Sequence, residues 1–137
     1  MKKYLGVDQM LNQTAIYAIR AMGFLAEQKD GLPVLSSTIA EEMEIPKNFL
    51  SKILNRLVQA GFIHSMRGRR GGFVLAGSPS EIRVRDVADL FMKLNNFKKC
   101  FLGLSRCNGS CGVHIRWKII VEQFEMLLDE TTVDRVF

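Results

Sequence analysis

Four side chains able to bind a metal or react with an oxidant lie close together in the C-terminal third of the chain. They are Cys100, Cys107, Cys111 and His114. Three thiolates and one imidazole form a donor set that zinc accepts. The neighbouring cations, Lys98, Lys99 and Arg106, suit a thiol switch instead, because thiolates form beside positive charge and oxidise to disulfides. The residue types alone therefore leave a metal site, a thiol switch and an inert loop open.

The number and spacing of the cysteines limit the kinds of site that they can form. An odd number on one segment does not suit a disulfide framework. Six residues separate Cys100 from Cys107, and three separate Cys107 from Cys111. The segment also holds glycines, which allow it to fold closely around a bound group: Gly103, Gly109 and Gly112.

A second chemical feature is the run of positive charge between residues 46 and 75. It contains no acid and six cations, which are Lys47, Lys52, Arg56, Arg67, Arg69 and Arg70. Any one of these charges alone would be read as a solvated surface. Together, and with glycines beside the arginines, they predict a surface that approaches the phosphate backbone of nucleic acid.

The elements that must position this charge are predicted by the same stretch. Apolar residues at helical spacing, from Phe49 to Val58, predict a helix with one buried face, and Gly61 ends it. Short apolar runs at 62–66 and 73–76 flank a glycine-rich joint and predict a β-hairpin. This is the layout of a winged helix, so we expect double-stranded DNA as the partner. The expected DNA-contacting residues are Lys47, Asn48, Ser51, Lys52, Arg56, Arg67, Arg69 and Arg70.

The rest of the chain predicts a mainly α fold. Further helices are expected over 12–28, over 36–43, over about 84–95 and over 113–128. Ser36 or Ser37 should cap the second helix, Thr38 and Glu41 have capping-box spacing, and Pro46 should occupy the first position of the basic helix. Val34 is expected to pair with the hairpin.

The last helix is too apolar for a single stripe. Trp117 and Phe124 belong to its main face, and Ile115, Ile119 and Met126 widen it. Such a surface either completes the core or packs on a second copy, and we expect a homodimer. The expected divisions are a loose arm at 1–10, a winged helix-turn-helix at 11–96, a cysteine-containing sensor loop at 97–114, and a dimerisation helix with its tail at 115–137.

Composition limits the classes of protein. The chain has 137 residues and a net charge of +5. Two cations against five acids make residues 117–137 acidic, so we expect only the middle of the chain to face nucleic acid. No run reaches membrane-span length and the start has no secretory core, which predicts a cytoplasmic protein without a membrane partner. No catalytic triad, P-loop or dinucleotide motif is present, so we do not expect an enzyme.

Several segments resemble one bacterial family. The runs YAIRA at 17–21, RGRRGGFVL at 67–75 and IRVRDV at 82–87, with the three cysteines and the late TTV, resemble the IscR/NsrR-type (Rrf-two) transcriptional regulators. The resemblance covers about residues 10–137. It implies a homodimer in which the long helices cross and the wings reach adjacent minor grooves.

The resemblance also implies a cofactor. Members of this family with an iron–sulfur cluster use three cysteines of such a loop, and the 2Fe-2S type adds a histidine at the position of His114. This implies a 2Fe-2S cluster on Cys100, Cys107, Cys111 and His114, with zinc or no cofactor as alternatives. Two features depart from the family: the cysteine spacing is less even, and Ile16 stands where four-iron members carry an aspartate. Asp8, on the loose N-terminal arm, stays open as an alternative ligand.

Overall fold

The computed structural model describes residues 10–106 and 108–137, apart from the side chains of residues 96 and 97. Its α-helices are α1 (Gln13–Ala26), α2 (Ser36–Glu42), α3 (Lys47–Gln59), α4 (Val84–Ala88) and α5 (Gly112–Glu130). Two strands, β1 (Ile63–Met66) and β2 (Gly72–Leu75), form one antiparallel hairpin. Short 3₁₀ turns lie at Pro79–Glu81, Leu94–Lys98 and Val133–Arg135. The predicted mainly α fold with a hairpin wing is confirmed.

The first three helices and the hairpin enclose the main core. Its fully buried large side chains come from all of these elements: Met22, Ile39, Leu50, Ile53, Leu54, Leu57 and Ile63. Val34 forms an antiparallel bridge with Phe73, donating to its carbonyl at 2.9 Å and accepting from its amide at 2.8 Å. The predicted pairing of Val34 with the hairpin is therefore confirmed, and it fastens the wing to the helical core.

The end of α3 agrees with the sequence, while the starts of α2 and α3 differ from it. Asn12 caps α1 by accepting from the amide of Ala15 at 2.8 Å, and Gly61 follows α3 with a φ of 83°. The predicted serine cap of α2 is wrong, because Leu35, still extended from the bridge, is the N-cap and Ser36 is already helical. Pro46 lies one position earlier than predicted, at the N-cap, where its carbonyl accepts from two amides of α3.

The helix predicted over 84–95 is shorter than expected. Only Val84–Ala88 is α-helical, and a turn follows before the 3₁₀ segment at Leu94–Lys98. This folding back buries Leu94 beside Ala88 in a second core cluster with Ala15, Val84 and Leu128. Burial of these side chains outweighs continuation of the helical pattern.

Helix α5 is anchored at one end. Of its 19 residues, which the structure describes in full, Leu128 is the one fully buried side chain. Val121 and Phe124 pack partly against the same second cluster, while Ile115 is 67% and Ile119 is 54% exposed. Among the described residues, no helix combines the length and apolar character needed to cross a bilayer.

The chain after α5 returns to the winged helix. The amide of Val84 donates to the carbonyl of Thr131 at 2.8 Å, and the amide of Val133 donates to that of Ile82 at 2.9 Å. Val133 is buried in the main core. The tail thus ties the C-terminal end of α5 to the segment that begins α4.

Replacing Gly72 by alanine should destabilise the wing. Gly72 has a φ of 143°, and a Cβ there would overlap the backbone carbonyl of Val34 across the bridge. We expect a loss of roughly 1–3 kcal/mol in the free energy of unfolding, measured by urea denaturation. Gly77→Ala is the matched control, because a Cβ at Gly77 meets nothing within 4 Å. Equal stabilities of the two variants would show that the contact between Gly72 and Val34 does not constrain the wing.

Candidate nucleic-acid interface and metal centre

The polar face of α3 is open to solvent. Leu50, Ile53, Leu54 and Leu57 bury the opposite face in the core. The predicted contact residues of this helix are all exposed: Lys47, Asn48, Ser51, Lys52 and Arg56. The Ser51 hydroxyl donates to the carbonyl of Lys47 at 3.1 Å, so its oxygen keeps acceptor capacity for an external donor. One face of a single rigid element thus displays a set of cations and hydrogen-bonding groups.

Phe49 does not lie where the sequence predicts. It was expected on the buried face, but 52% of its surface is exposed. The four buried residues define a face centred between Leu57 and Leu50, and Phe49 lies at the edge of that face, beside Lys52 and Arg56 at helical spacing. Its angular position on the helix was the signal that apolar spacing alone overlooked.

The turn between the strands carries the other predicted contacts. Arg67, Arg69 and Arg70 are all exposed there. Gly68 has a φ of 109° and accepts from the amide of Gly71 at 3.0 Å. This tight turn holds the arginine backbones at the end of the hairpin, away from the core.

The acidic side chains that the structure describes do not neutralise the charge of this surface. Across residues 10–106 and 108–137, none of the six cations of α3 and the wing forms an ion pair. Cations without acidic partners remain available to phosphates.

The chain from residue 98 to residue 111, here called the cysteine segment, precedes α5. It meets the N-terminal half of α5 in an open cleft of about 380 Å³. Cys100, His114 and Trp117 line it together with Lys98, Lys99, Lys118 and Val121. The Trp117 indole Nε1 donates to the carbonyl of Lys99 at 3.0 Å, and its ring lies 5.3 Å from that of Phe101. These contacts hold residues 99–101 against α5. They also give Trp117 a role within the chain that sequence reasoning did not identify.

The donor set suits an iron–sulfur cluster in its chemistry, since thiolates and an imidazole are the ligands that such clusters use. Two of the four predicted ligands, Cys100 and His114, share the cleft. Gly109 has a φ of 80°, which favours glycine, and a Cβ there would lie a close 3.3 Å from His114 Nε2. Cys111 is the N-cap of α5 and does not line the cleft, while Cys107 lies outside the described residues. In the part of the chain that is described, no three Cys, His, Asp or Glu side chains converge as metal ligands.

An ion-pair network joins the cysteine segment, α5 and α4. Lys98 Nζ lies 2.8 Å from Glu125 Oε1, and Arg85 Nη2 lies 3.9 Å from the same oxygen. Arg85 also binds Asp129 through Nε and, at 3.1 Å, through Nη2. Arg83 holds Asp86 at 2.9 Å and reaches Asp129 at 3.5 Å.

Both aspartates of this network stay ionised at neutral pH. The hydrogen bond from Arg85 lowers the pKa of Asp129. Burial raises the pKa of Asp86, but hydrogen bonds from Arg83 outweigh that effect, so its pKa is also lowered. Groups with depressed pKa values stabilise the fold above the ordinary carboxyl pKa and lose that contribution as the pH falls below it. The network is therefore intact at physiological pH.

Comparison with known proteins places the chain in a family. The family described as "Rrf2: Iron-dependent Transcriptional regulator" matches residues 11–137. An HTH-type transcriptional regulator assigned in Aquifex aeolicus (strain VF5) is 32% identical over 128 residues, covering 90% of this chain and 88% of that protein. The structure of T. potens IscR is similar with a TM-score of 0.67 and 26% identity, covering 88% of this chain and 80% of the other.

CymR, the global cysteine regulator of B. subtilis, has the same fold. Its TM-score is 0.75 at 22% identity, with 98% of this chain and 95% of that chain covered. The match of the family over nearly the whole chain is supported by the Aquifex relative at similar coverage. The chain belongs to the Rrf2 family of transcriptional regulators.

Proposed function

We propose that this regulator binds operator DNA through α3 and the wing, with an affinity set by an iron–sulfur cluster on the cysteine segment. Membership of a family of transcriptional regulators also agrees with the expectation that the chain is not an enzyme. The observation that carries the proposal is the meeting of Cys100 and His114 in one cleft, beside the ion pairs that lead to α4. In this proposal residues 11–96 read DNA, 97–114 sense the signal and 115–137 join two copies.

The DNA contacts follow from exposure and charge. Asn48, Ser51 and Lys52 would face base edges in the major groove, since the N-terminal part of a recognition helix enters it. Lys47 and Arg56, at the margins of the same face, would contact phosphates. Arg67, Arg69 and Arg70 would reach phosphates or a narrow minor groove.

The cluster ligands in this proposal are Cys100, Cys107, Cys111 and His114. A cluster bound there would supply a rigid link within the segment and a charge that changes with its redox state. The family's description as iron-dependent supports iron over zinc. A cluster-free thiol switch uses the same cysteines, and the three lysines of the cleft, Lys98, Lys99 and Lys118, are the feature that favours it.

The ion pairs provide the route from the sensor to the DNA-reading unit. Lys98 precedes Cys100 by two residues, so ordering the segment fixes the position of its ammonium against Glu125. Glu125 is shared with Arg85, at the start of α4, and α4 packs on α1. A change in the segment would therefore alter the angle between α5 and the winged helix.

A homodimer completes the proposal. Six apolar side chains of α5 are exposed and are covered by neither the core nor the cleft: Val113, Ile115, Ile119, Ile120, Met126 and Leu127. Burying them against a second copy would stabilise the pair, because exposed apolar surface of this extent marks an interface. Two copies would present two copies of α3 to half-sites about one DNA turn apart.

Replacing Arg70 by alanine tests the wing. Loss of one phosphate contact should weaken binding on all sequences and reduce the slope of log affinity against log salt by roughly one. The measurement is fluorescence anisotropy, from low to high salt, on duplexes selected from a random library by the wild-type protein. Lys29→Ala, which removes a charge outside α3 and the wing, is the control. An unchanged salt slope for Arg70→Ala would remove the wing from the interface.

Replacing Ile115 and Ile119 by glutamate tests the dimer. Both side chains are mostly exposed, so charges there should leave the fold intact but prevent apolar contact between copies. Light scattering should report twice the chain mass for the wild type and a single chain for the variant. Leu32→Glu with Leu35→Glu, at exposed apolar sites outside α5, should remain dimeric. A dimeric Ile115/Ile119 variant would place the interface elsewhere.

Cluster-loaded and apo protein should differ in DNA affinity. Linkage of this kind amounts to about 1–3 kcal/mol, roughly 5- to 150-fold, when the same duplex is titrated at the same salt. Cys107→Ser should prevent cluster assembly and bind DNA like the apo wild type. Glu125→Gln removes the carboxylate shared by Lys98 and Arg85, and should reduce the difference between the two states.

Glu122→Gln is the matched control, since it removes an exposed charge from the same helix and should preserve the difference. Loading is followed by the visible absorption of protein purified without oxygen, where a cluster gives bands at roughly 320–460 nm. Colourless protein that contains stoichiometric zinc would show that the site binds zinc and not a cluster. Equal affinities of loaded and apo protein would leave a DNA-binding protein with a structural metal.

A further inference from the structure

One large apolar side chain interrupts the polar face of α3. Phe49 is the third residue of the helix, and 52% of its surface is exposed. Lys52 follows it by three residues and Arg56 by seven, and both are exposed. Phe49, Lys52 and Arg56 therefore form a continuous strip along one edge of the helix.

The exposure of Phe49 has no explanation within the described core. The next residue, Leu50, is 1% exposed and already occupies the core position at this turn of the helix. An exposed phenyl ring loses the hydrophobic stabilisation that burial would give it. The residues around it are suited to a polyanion, which makes DNA the surface that would cover this ring.

We propose that Phe49 determines sequence specificity by packing its ring on the C5-methyl group of a thymine in the major groove. The inference rests on the proposed insertion of α3 into that groove. The thymine methyl is the apolar group that the major groove displays, and phenylalanine is among the side chains that contact it. The N-terminal position of Phe49 in α3 is where base contacts are made.

With this contact, the residues of the strip would have different roles in DNA binding. Arg56 brings charge toward phosphates, which every sequence offers. Lys52 brings charge toward the hydrogen-bond acceptors of base edges. The Phe49 ring has no hydrogen-bonding group, so it favours a methyl and gains nothing from the bare C5 edge of cytosine. A preference for A·T pairs at one position of each half-site follows.

Replacing thymine by deoxyuridine tests the contact, because it removes only the C5-methyl group. Duplexes selected from a random library by the wild-type protein are resynthesised with one thymine replaced at a time. At one position in each half-site, the wild type should lose roughly 4-fold in affinity, the factor given by burial of one methyl-sized group. Phe49→Ala should bind the thymine and deoxyuridine duplexes equally, and Phe49→Leu should retain part of the preference.

Arg56→Ala is the matched control from the same strip, because Arg56 is the residue of the strip that we place on phosphates. It should weaken binding overall and still distinguish thymine from deoxyuridine at the same position. A second measurement uses the wild type alone: 5-iodouracil at that position, irradiated, should crosslink to the peptide containing Phe49. This keeps the test decisive if the alanine variant folds poorly.

The outcomes separate this inference from the proposed function. A wild type insensitive to every replacement, or a Phe49→Ala variant that keeps the full preference, overturns the contact while DNA binding stands. Crosslinking of the iodouracil only to peptides without Phe49 also overturns it. A wild type that selects no sequence from the library overturns both.

Discussion

Burial of Leu128 between α1 and α4 determines how the long helix joins the DNA-reading unit. Leu128 is fully buried near the C-terminal end of α5, and Ala15, Val84 and Ala88 surround it in the second core cluster. Toward the N-terminal end, contact with the winged helix gives way to exposed residues such as Ile119 and Ile115. The helix is thus fixed at one end and open to partners at the other. Four of its exposed apolar side chains, Val113, Ile115, Ile119 and Ile120, and the cleft shared by Cys100 and His114 lie toward the open end.

The charges of the chain reinforce this arrangement. Acids of α5 pair with Arg83 and Arg85 on the side facing α4, while the cations of α3 and the wing have no acidic partner among the described residues. Ion pairs at an exposed surface add little stability individually, because water and salt screen them. Their effect here is geometric, because Glu125 contacts both the cysteine segment and α4. One carboxylate therefore responds to two parts of the molecule.

The sequence predicted features that depend on local pattern. Helical spacing located α1, α3 and α5, and glycine with apolar flanks located the hairpin. Features that depend on tertiary packing were missed or misplaced. The helix at Val84 stopped at Ala88 because Leu94 is buried by folding back, and Phe49 was assigned to the wrong face because its spacing matches the apolar stripe. The network of Arg85, Glu125 and Asp129 joins residues about forty positions apart, which no single-sequence pattern reports. The sequence predicted Cys100 and His114 as ligands, but only the folded structure shows that they line the same cleft.

The length of α5 makes it suited to converting a small change into a large one. At about 1.5 Å per residue, roughly 22 Å of helix separate Leu128 from Val113. A tilt of about 10° at the Leu128 anchor would move the other end by roughly 4 Å. In the dimer that we propose, the open ends of two such helices join the subunits, so the same tilt shifts one DNA-reading unit relative to the other. Half-sites on DNA are separated by a fixed distance of about 34–36 Å, which tolerates little misfit. A change confined to the cysteine segment, transmitted through Lys98 and Glu125, would then be read as a difference in operator affinity.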